Sequence, residues 1–347
     1  MERIMKKIVS AAAVCVVAIP TMAASIEMPT VYGKINKAAI YTDQDSTGRT
    51  SFAGFADVDS SETRLGVKGK WDLENVEGTY VIEMGLNSSK DSNGTDFRIR
   101  MRQAAVGAKT AFGTIKAGQT YTPMDYTILK TDLLSSTVAS MAGSDTSARI
   151  DGAVSRLGMR YRARTDMVSY ETPSIGGLTL SLSTDRDNGM NNDSTDADYG
   201  PTHYTGLVKF DRQMGKVDMN LFAGYDTWAE DGEDNTYTLA GAKFGFGNFQ
   251  LNAAYSIEEN DAATKTEINR TYAGAQYTMN KNVFAVTYQL RDEKDAGNEY
   301  TQIAAHYRYM FTKKFDMSLT VLTYDVDETA GTQNEATMAA AGIQLKF

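Results

Sequence analysis

The chain is poor in the residues that most often carry chemistry. It has one cysteine and two histidines among 347 residues, and its formal net charge is −9. Cys15 lies in an N-terminal segment that we expect to be removed, which excludes disulfides and thiolate metal sites from the remainder. The acidic balance makes the chain a poor nucleic-acid binder, so we expect no nucleic-acid partner.

The two histidines do not indicate catalysis. Strand alternation places His306 on a polar face beside Arg308, and His203 falls in a polar segment that we interpret as a loop. The acids that crowd residues 185–198 lack the glycine and glutamate positions of a calcium-binding loop. We therefore expect no enzymatic activity, no cofactor and no bound metal.

Long apolar runs are also missing, except for one near the N-terminus. Residues 8–19 are apolar, follow Arg3 and end at Pro20. This run is shorter than the ~20 residues of a membrane-spanning helix. The pattern predicts a secretory signal peptide over residues 1–24, and it leaves residues 25–347 as the secreted, folded domain.

The sequence does contain apolar and polar side chains in alternation. The odd positions from Val217 to Tyr225 are apolar, and Asp218, Asn220 and Asp226 occupy even positions. The same period of two returns over 249–258, 284–291, 303–311 and 341–347. The pattern predicts β-strands that each have one apolar and one polar face.

The connections between the predicted strands alternate between short and long. Short turns fall near Asn75, Gly113, Gly176, Gly215, 245–248, 280–282 and 312–313. Long polar segments fall at 43–61, 87–95, 121–155, 184–203, 227–236, 258–269, 292–298 and 325–335. Seven turns and eight loops join sixteen strands, which predicts an all-β, 16-stranded antiparallel barrel.

Two-faced strands favour a membrane barrel over a soluble β-protein, which would not leave polar residues on the second face of every strand. A sheet in lipid must close because lipid cannot satisfy its backbone hydrogen bonds. Its apolar face then points outward, and sixteen strands enclose a lumen too wide for side chains to fill. We predict a transmembrane β-barrel with short periplasmic turns, long extracellular loops and a passive, water-filled channel.

Arginines on the polar faces are candidates for lining this channel. Arg98, Arg100 and Arg102 alternate with apolar side chains, and Arg64 precedes the apolar Leu65. An arginine that faces lipid at the middle of the membrane costs about 2–4 kcal/mol, so we expect these four side chains to face the lumen. The arginine ladder favours a mild preference for anions.

Several segments of the chain resemble the Gram-negative general porin family. They are R-L-G-V-K-G at 64–69, M-R-Q-A-A-V-G at 101–107, F-G-T-I-K-A-G at 112–118, Y-E-T-P at 170–173 and the terminal Phe347. They occur in the family's order and spread over nearly the whole secreted chain. The resemblance implies a homotrimer in the outer membrane, in which every monomer has its own pore.

The resemblance also implies that the third long loop, about 121–155, folds into the lumen and opposes arginines of the wall with its acids. Arg64 and Arg102 match family positions, and Arg160, Arg162 and Arg164 form a basic run near another family position. The loop lacks the family's P-E-F-G-G turn, so which of its acids reach the constriction stays open. The candidates are Arg64, Arg98, Arg100, Arg102 and Arg164 on the wall and Asp125, Asp132, Asp145 and Asp151 on the loop.

The expected partners follow from the same resemblance. They are outer-membrane lipid, lipopolysaccharide, the barrel-assembly machinery that recognises the terminal Phe347, and small hydrophilic solutes and ions. Three functions remain open for such a barrel. They are a general diffusion channel, which we favour, a substrate-specific channel, an anion-selective one included, and an adhesin or structural barrel without a channel.

Overall fold

A computed structural model of the chain describes residues 25–44, 51–57, 63–87, 98–141, 158–159, 164–186, 202–230, 233–261, 265–329 and 333–347. The predicted signal peptide, Asp145 and Asp151 lie outside these residues. The described part forms one antiparallel sheet, with a single α-helix inside it. No described helix combines the length and the apolar character that crossing a bilayer requires.

The elements are numbered in chain order. The first strands are β1 (Ser25–Ile26), β2 (Thr30–Gln44), β3 (Phe52–Asp57), β4 (Arg64–Leu73), β5 (Val76–Asn87), β6 (Arg98–Thr110) and β7 (Gly113–Thr120), and helix α1 (Pro123–Thr131) follows. The remaining strands are β8 (Thr165–Glu171), β9 (Leu178–Arg186), β10 (Thr202–Met214), β11 (Val217–Glu230), β12 (Glu233–Phe246), β13 (Phe249–Asn260), β14 (Thr266–Met279), β15 (Asn282–Glu293), β16 (Asn298–Met310), β17 (Phe315–Asp327) and β18 (Gln333–Lys346).

These strands make a closed barrel of sixteen, as the sequence predicts. Strand β2 pairs with β3 along one half and with β4 along the other, so β3 and β4 are two halves of one barrel strand. Strand β1 is a two-residue addition to β4. The last strand, β18, pairs with β2 and closes the sheet, which leaves no edge exposed to lipid.

The seven short turns lie where the sequence predicts them, but several predicted loops are too long. The strands continue through most of these segments and leave connections of 231–232, 261–265, 294–297 and 328–332. Residues 52–57, inside the predicted loop 43–61, form β3. Polar composition misled the prediction because a strand end that projects beyond the lipid is as hydrophilic as a loop.

The two faces of the wall differ as predicted. Tyr225, Phe284 and Ile303 are exposed on the outer surface. Side chains of the alternate phase, such as Asp226 and Gln302, are buried on the lumenal side. Directly paired residues of neighbouring strands share one face, so the alternation of outward and inward side chains continues from strand to strand around the barrel.

The described start of the connection between β7 and β8, residues 121–141, folds into the barrel and includes α1. Thr122 caps the helix, since its Oγ accepts a hydrogen bond from the N–H of Asp125 at 3.1 Å. Pro123 fills the first helical turn, where no backbone donor is lost. The helix and the following residues 132–141 are called the pore segment below.

Two apolar clusters seat the pore segment on the inner wall. Met124 and Ile128 of α1 pack with side chains of β10 to β14, including Phe222 and Leu239. Leu134, Val138 and Ala139 pack with side chains of β2 and β15 to β18, which are Ala38, Ile40, Ala285, Tyr300, Ala304, Leu322, Tyr324, Val326, Ala336, Met338 and Ala340. The pore segment therefore covers the wall of these strands and leaves the wall of β4 to β9 facing the lumen.

Candidate pore constriction

The wall of β5 and β6 carries a buried ion pair. The register between the two strands shifts at Glu83, which pairs with Gln103, while Met84 pairs with Met101. Arg102 is the extra residue of this β-bulge. Its side chain is fully buried, and its Nε donates a hydrogen bond to Oε1 of Glu83 at 2.8 Å.

Glu83 collects two further groups from the neighbouring wall. The hydroxyl of Tyr32 donates to its Oε2 at 2.9 Å, and a guanidinium nitrogen of Arg64 lies 3.6 Å from its Oε1. A buried carboxylate is tolerated when such partners satisfy its lone pairs. Glu83 therefore fixes Arg64 and Arg102 side by side on the lumenal wall.

Tyr121 connects this pair to the pore segment. Its hydroxyl accepts hydrogen bonds from Arg102 at 3.1 Å and from Arg164 at 3.0 Å. The guanidinium of Arg164 also lies over its ring, 5.2 Å from the centroid. Tyr121 precedes α1 by two residues, so these contacts join two predicted wall arginines, Arg102 and Arg164, to the start of the helix.

The other two predicted arginines, Arg98 and Arg100, precede Arg102 on β6. Arg100 is exposed, and its neighbours Ile99 and Met101 are apolar side chains exposed on the outer surface. Alternation thus places Arg100 on the lumenal side of β6. The structure describes the backbone of Arg98 but not its side chain, and Arg160 and Arg162 lie outside the described residues.

The two described acids of the pore segment are buried. Asp125 is 3% exposed, and its Oδ2 accepts a 2.7 Å hydrogen bond from the hydroxyl of Thr122 as part of the helix cap. Asp132 is 6% exposed and ends the helix. The family resemblance implies acids of this loop that face the lumen, but neither of these carboxylates is exposed there.

Asp132 instead holds the turn that follows α1. Its Oδ1 accepts the N–H of Leu134 at 2.8 Å. Its Oδ2 accepts the hydroxyl of Ser140 at 2.7 Å and the N–H of Met141 at 2.9 Å. Burial outweighs these bonds and raises the pKa of Asp132 to about 6.

Side chains of the opposite wall anchor the pore segment by its backbone. Asn252 donates to the carbonyl of Thr131 at 2.6 Å, and the hydroxyl of Tyr272 accepts the N–H of Leu133 at 2.9 Å. Gln289 and Gln302 both donate to the carbonyl of Ala139, at 3.0 and 3.3 Å. Asn36 donates to the carbonyl of Ser136 at 3.2 Å, so donors from several strands hold the pore segment in place.

A cavity of ≈ 620 Å³ lies between the start of α1 and the wall of β4 to β8. Lys68, Lys116 and Lys209 line it, together with Glu171. Lys209 is paired with Glu171 at 2.8 Å. Within the described residues, neither Lys68 nor Lys116 has a carboxylate in salt-bridge range. We call this cavity the basic corridor.

Sequence reasoning did not single out Glu83, Tyr121, Lys68 or Lys116. Lys68 and Lys116 stand inside the segments 64–69 and 112–118 that carry the family resemblance, and Glu83 lies on the polar phase of β5. Those signals could have found three of the four. For Tyr121 the sequence offers no comparable signal, since its position depends on where β7 ends.

The histidines are placed differently from the prediction in one case. His203 lies in β10 rather than in a loop, and its Nδ1 is 3.0 Å from Oδ2 of Asp226. Polar neighbours obscured the end of this strand. His306 lies on the lumenal side as expected, 2.9 Å from the hydroxyl of Thr320. Among the described residues, no group of three metal-ligating side chains occurs.

A sequence profile described as Gram-negative porin matches residues 10–329. No curated protein matches the chain.

Solved structures with a similar fold are porins. An anion-selective porin from Comamonas acidovorans is 20% identical with a TM-score of 0.73, and the match covers 94% of this chain and 100% of that one. OmpF of Salmonella typhi in complex with daunomycin is 17% identical with a TM-score of 0.66, covering 93% and 100%. OmpT of Vibrio cholerae in a trimer form is 14% identical with a TM-score of 0.64, covering 94% and 100%.

Proposed function

The chain belongs to the Gram-negative porin family and is a passive channel of the outer membrane, and we propose that its lumen favours small hydrophilic anions. The observation that carries this proposal is the pair of exposed lysines in the basic corridor. Lys68 and Lys116 line the cavity, and no carboxylate of the described residues lies within salt-bridge distance of either ammonium group. A permeating ion passes close to the positive charges of these two lysines.

Glu27 lines the cavity and is exposed, and the other described acids near this path are engaged in contacts of their own. Glu171 bonds to Lys209 and Ser181, and Glu83 is buried against Arg102. Asp125 and Asp132 are buried within the pore segment. Asp145 and Asp151, outside the described residues, stay candidates for the constriction. In this proposal the wall cations dominate selectivity, although the formal charge of the whole chain is −9.

General diffusion is the form of transport that we favour. Small polar side chains line part of the corridor between its lysines, among them Thr79, Thr114 and Ser169. Such a lining has no fixed shape that selects one solute. A substrate-specific, anion-selective channel remains the second candidate, because Tyr121 and Tyr126 also line this cavity. We propose no catalytic role.

We also propose a homotrimer with one pore per subunit, surrounded by outer-membrane lipid and lipopolysaccharide. Support comes from OmpT of Vibrio cholerae, which has been solved in a trimer form. The barrel-assembly machinery is proposed to recognise the terminal Phe347, and residues 1–24 to be removed as a signal peptide. Electrophoresis of unheated and heated protein in mild detergent tests the trimer, because only the unheated sample should migrate at three times the subunit mass.

Swelling of liposomes that contain the purified protein tests the transport proposal. A series of neutral sugars of increasing size should enter with smoothly falling rates, as expected for general diffusion. At matched size, a monoanionic solute should enter faster than a neutral one, and a cationic solute should be slowest. Equal rates for the anion and the cation would remove the basis for assigning selectivity to the corridor lysines.

A further inference from the structure

Helix α1 presents an aromatic side chain to the basic corridor. Tyr126 is 51% exposed, although Met124 and Ile128 of the same helix are buried against the opposite wall. The ring of Tyr121 lies nearby, with a centroid distance of 6.5 Å and an interplanar angle of 52°. A large aromatic side chain that is exposed in a water-filled lumen can bury its ring against the apolar surface of a permeating solute.

Lysine ammonium groups lie close to aromatic rings around this cavity. The ammonium of Lys130 lies 5.2 Å from the ring centroid of Tyr126. Across the cavity, Lys68 lies 5.1 Å from the ring centroid of Tyr32, and Lys116 lines the same space. The corridor therefore combines an exposed ring on one side with two lysines on the other that have no described carboxylate in salt-bridge range.

We propose that the basic corridor transiently binds small organic anions that carry a planar aromatic ring, such as aryl carboxylates. The inference rests on the proposed anion preference and names its solute class. Lys68 and Lys116 attract the anionic group, while the ring of the solute stacks on Tyr126. The cavity of ≈ 620 Å³ falls within the about 300–1,000 Å³ that is common for small-molecule sites.

Binding of this kind is compatible with passage. Solutes cross a channel when they bind well enough to enter and weakly enough to leave. In the part of the chain that the structure describes, the corridor contains one exposed ring and two lysines without a salt-bridge partner rather than a closed pocket. The expected consequence is short-lived occupancy that reduces the flow of smaller ions while the solute is present.

The test uses full-length protein in planar bilayers and records chloride current while benzoate or cyclohexanecarboxylate is added. The two anions have the same charge and similar size, but only benzoate is planar and aromatic. Half-block should need about two- to tenfold less benzoate, which is the range expected for one aromatic contact. Equal concentrations for the two anions would overturn the proposal.

Variants assign the effect to residues. Tyr126→Leu should abolish the difference between the two anions, and Tyr126→Phe should keep it. Lys116→Gln should weaken block by both anions, whereas Lys313→Gln, in the short turn after β16, should change neither. Because discrimination is the ratio of two half-block concentrations in one protein, unaltered discrimination in Tyr126→Leu would refute the role of the ring.

The same bilayers separate this inference from the proposed function. The reversal potential in a potassium chloride gradient reports anion preference without any aromatic solute. Cation preference there would defeat the proposed function even if benzoate blocked selectively. Anion preference without selective block by benzoate would defeat only the further inference.

Discussion

Nε of Arg102 lies 2.8 Å from Oε1 of Glu83, and both side chains are buried in the wall beside the pore segment. The pair arises from a β-bulge, since the extra residue in β6 turns the guanidinium toward the neighbouring strand. Arg102 then reaches Tyr121 with a second nitrogen. The ion pair therefore holds β5 and β6 together and, through Tyr121, positions the residues that lead into the lumen.

Glu83→Gln is expected to destabilise the barrel and to strengthen its anion preference. The change removes the only described carboxylate that contacts Arg64 and Arg102, and breaking a buried pair costs about 3–5 kcal/mol. Thermal unfolding in detergent measures the first effect and reversal potentials the second. Glu74→Gln, at an exposed turn position, is the control and should change neither. A variant as stable as the wild type would show that the pair is not structural.

Loss of the two glutamine anchors is expected to loosen the pore segment. In the double variant Gln289→Leu and Gln302→Leu, the carbonyl of Ala139 loses both of its described side-chain donors. A buried acceptor without a partner costs about 1–3 kcal/mol. Single-channel recordings should show larger fluctuations of the open current, whereas Gln213→Leu at an exposed strand end should not. A quiet open channel in the double variant would mean that apolar packing alone holds the segment.

Asp132 is expected to make stability depend on pH in a defined direction. Burial raises its pKa from 3.8 to about 6, so the folded protein binds this proton more tightly than the unfolded chain does. The stabilisation is complete below pH 3.8 and is lost as the pH rises through about 6. The wild type should therefore gain stability relative to Asp132→Asn as the pH falls from about 7.5 to 4.5. Parallel pH profiles of the two proteins would contradict this assignment.

A side chain at position 33, where β2 pairs with the C-terminal end of the chain and closes the barrel, is expected to destabilise the fold. A Cβ placed on Gly33 would lie 2.3 Å from the ring of Phe347 and 2.8 Å from the carbonyl oxygen of Arg64. The backbones of Gly33 and Phe347 also exchange two hydrogen bonds of 3.1 Å. Gly33→Ala should lower stability by about 1–3 kcal/mol. Gly245→Ala, where the nearest contact is an ordinary 3.6 Å, is the matched control.

Removing the ring checks the cause of that effect. Addition of Phe347→Ala should recover part of the loss in Gly33→Ala, because the short contact with the ring disappears while the one with Arg64 remains. The comparison requires four proteins, namely the wild type, the two single variants and the double variant. Strictly additive losses would indicate that the ring of Phe347 does not limit the space at Gly33.

The barrel itself was predictable because lipid and water impose opposite demands on alternate residues. That contrast is visible in a strand such as β13, where Leu251 and Tyr255 point outward while Asn252 and Ser256 point inward. The short turns were predictable for a similar local reason, since Gly215 and Gly247 adopt a positive φ of about 60° that favours glycine.

The constriction was less predictable because its contacts join distant parts of the chain. Alternation predicts that Arg102 faces inward, but its burial depends on a bulge opposite Glu83 that no local pattern announces. The burial of Asp132 likewise depends on Ser140 and Met141, which return to it only after the chain has turned. Acids on a long loop look alike in sequence, whether they face the lumen or hold the loop together.

The reversal potential of the wild-type channel in a potassium chloride gradient tests the central claim most directly. The exposed Lys68 and Lys116 predict that chloride crosses more readily than potassium, and that Lys68→Gln combined with Lys116→Gln moves the potential toward zero. A potential of the opposite sign, with potassium as the more permeant ion, would contradict the account.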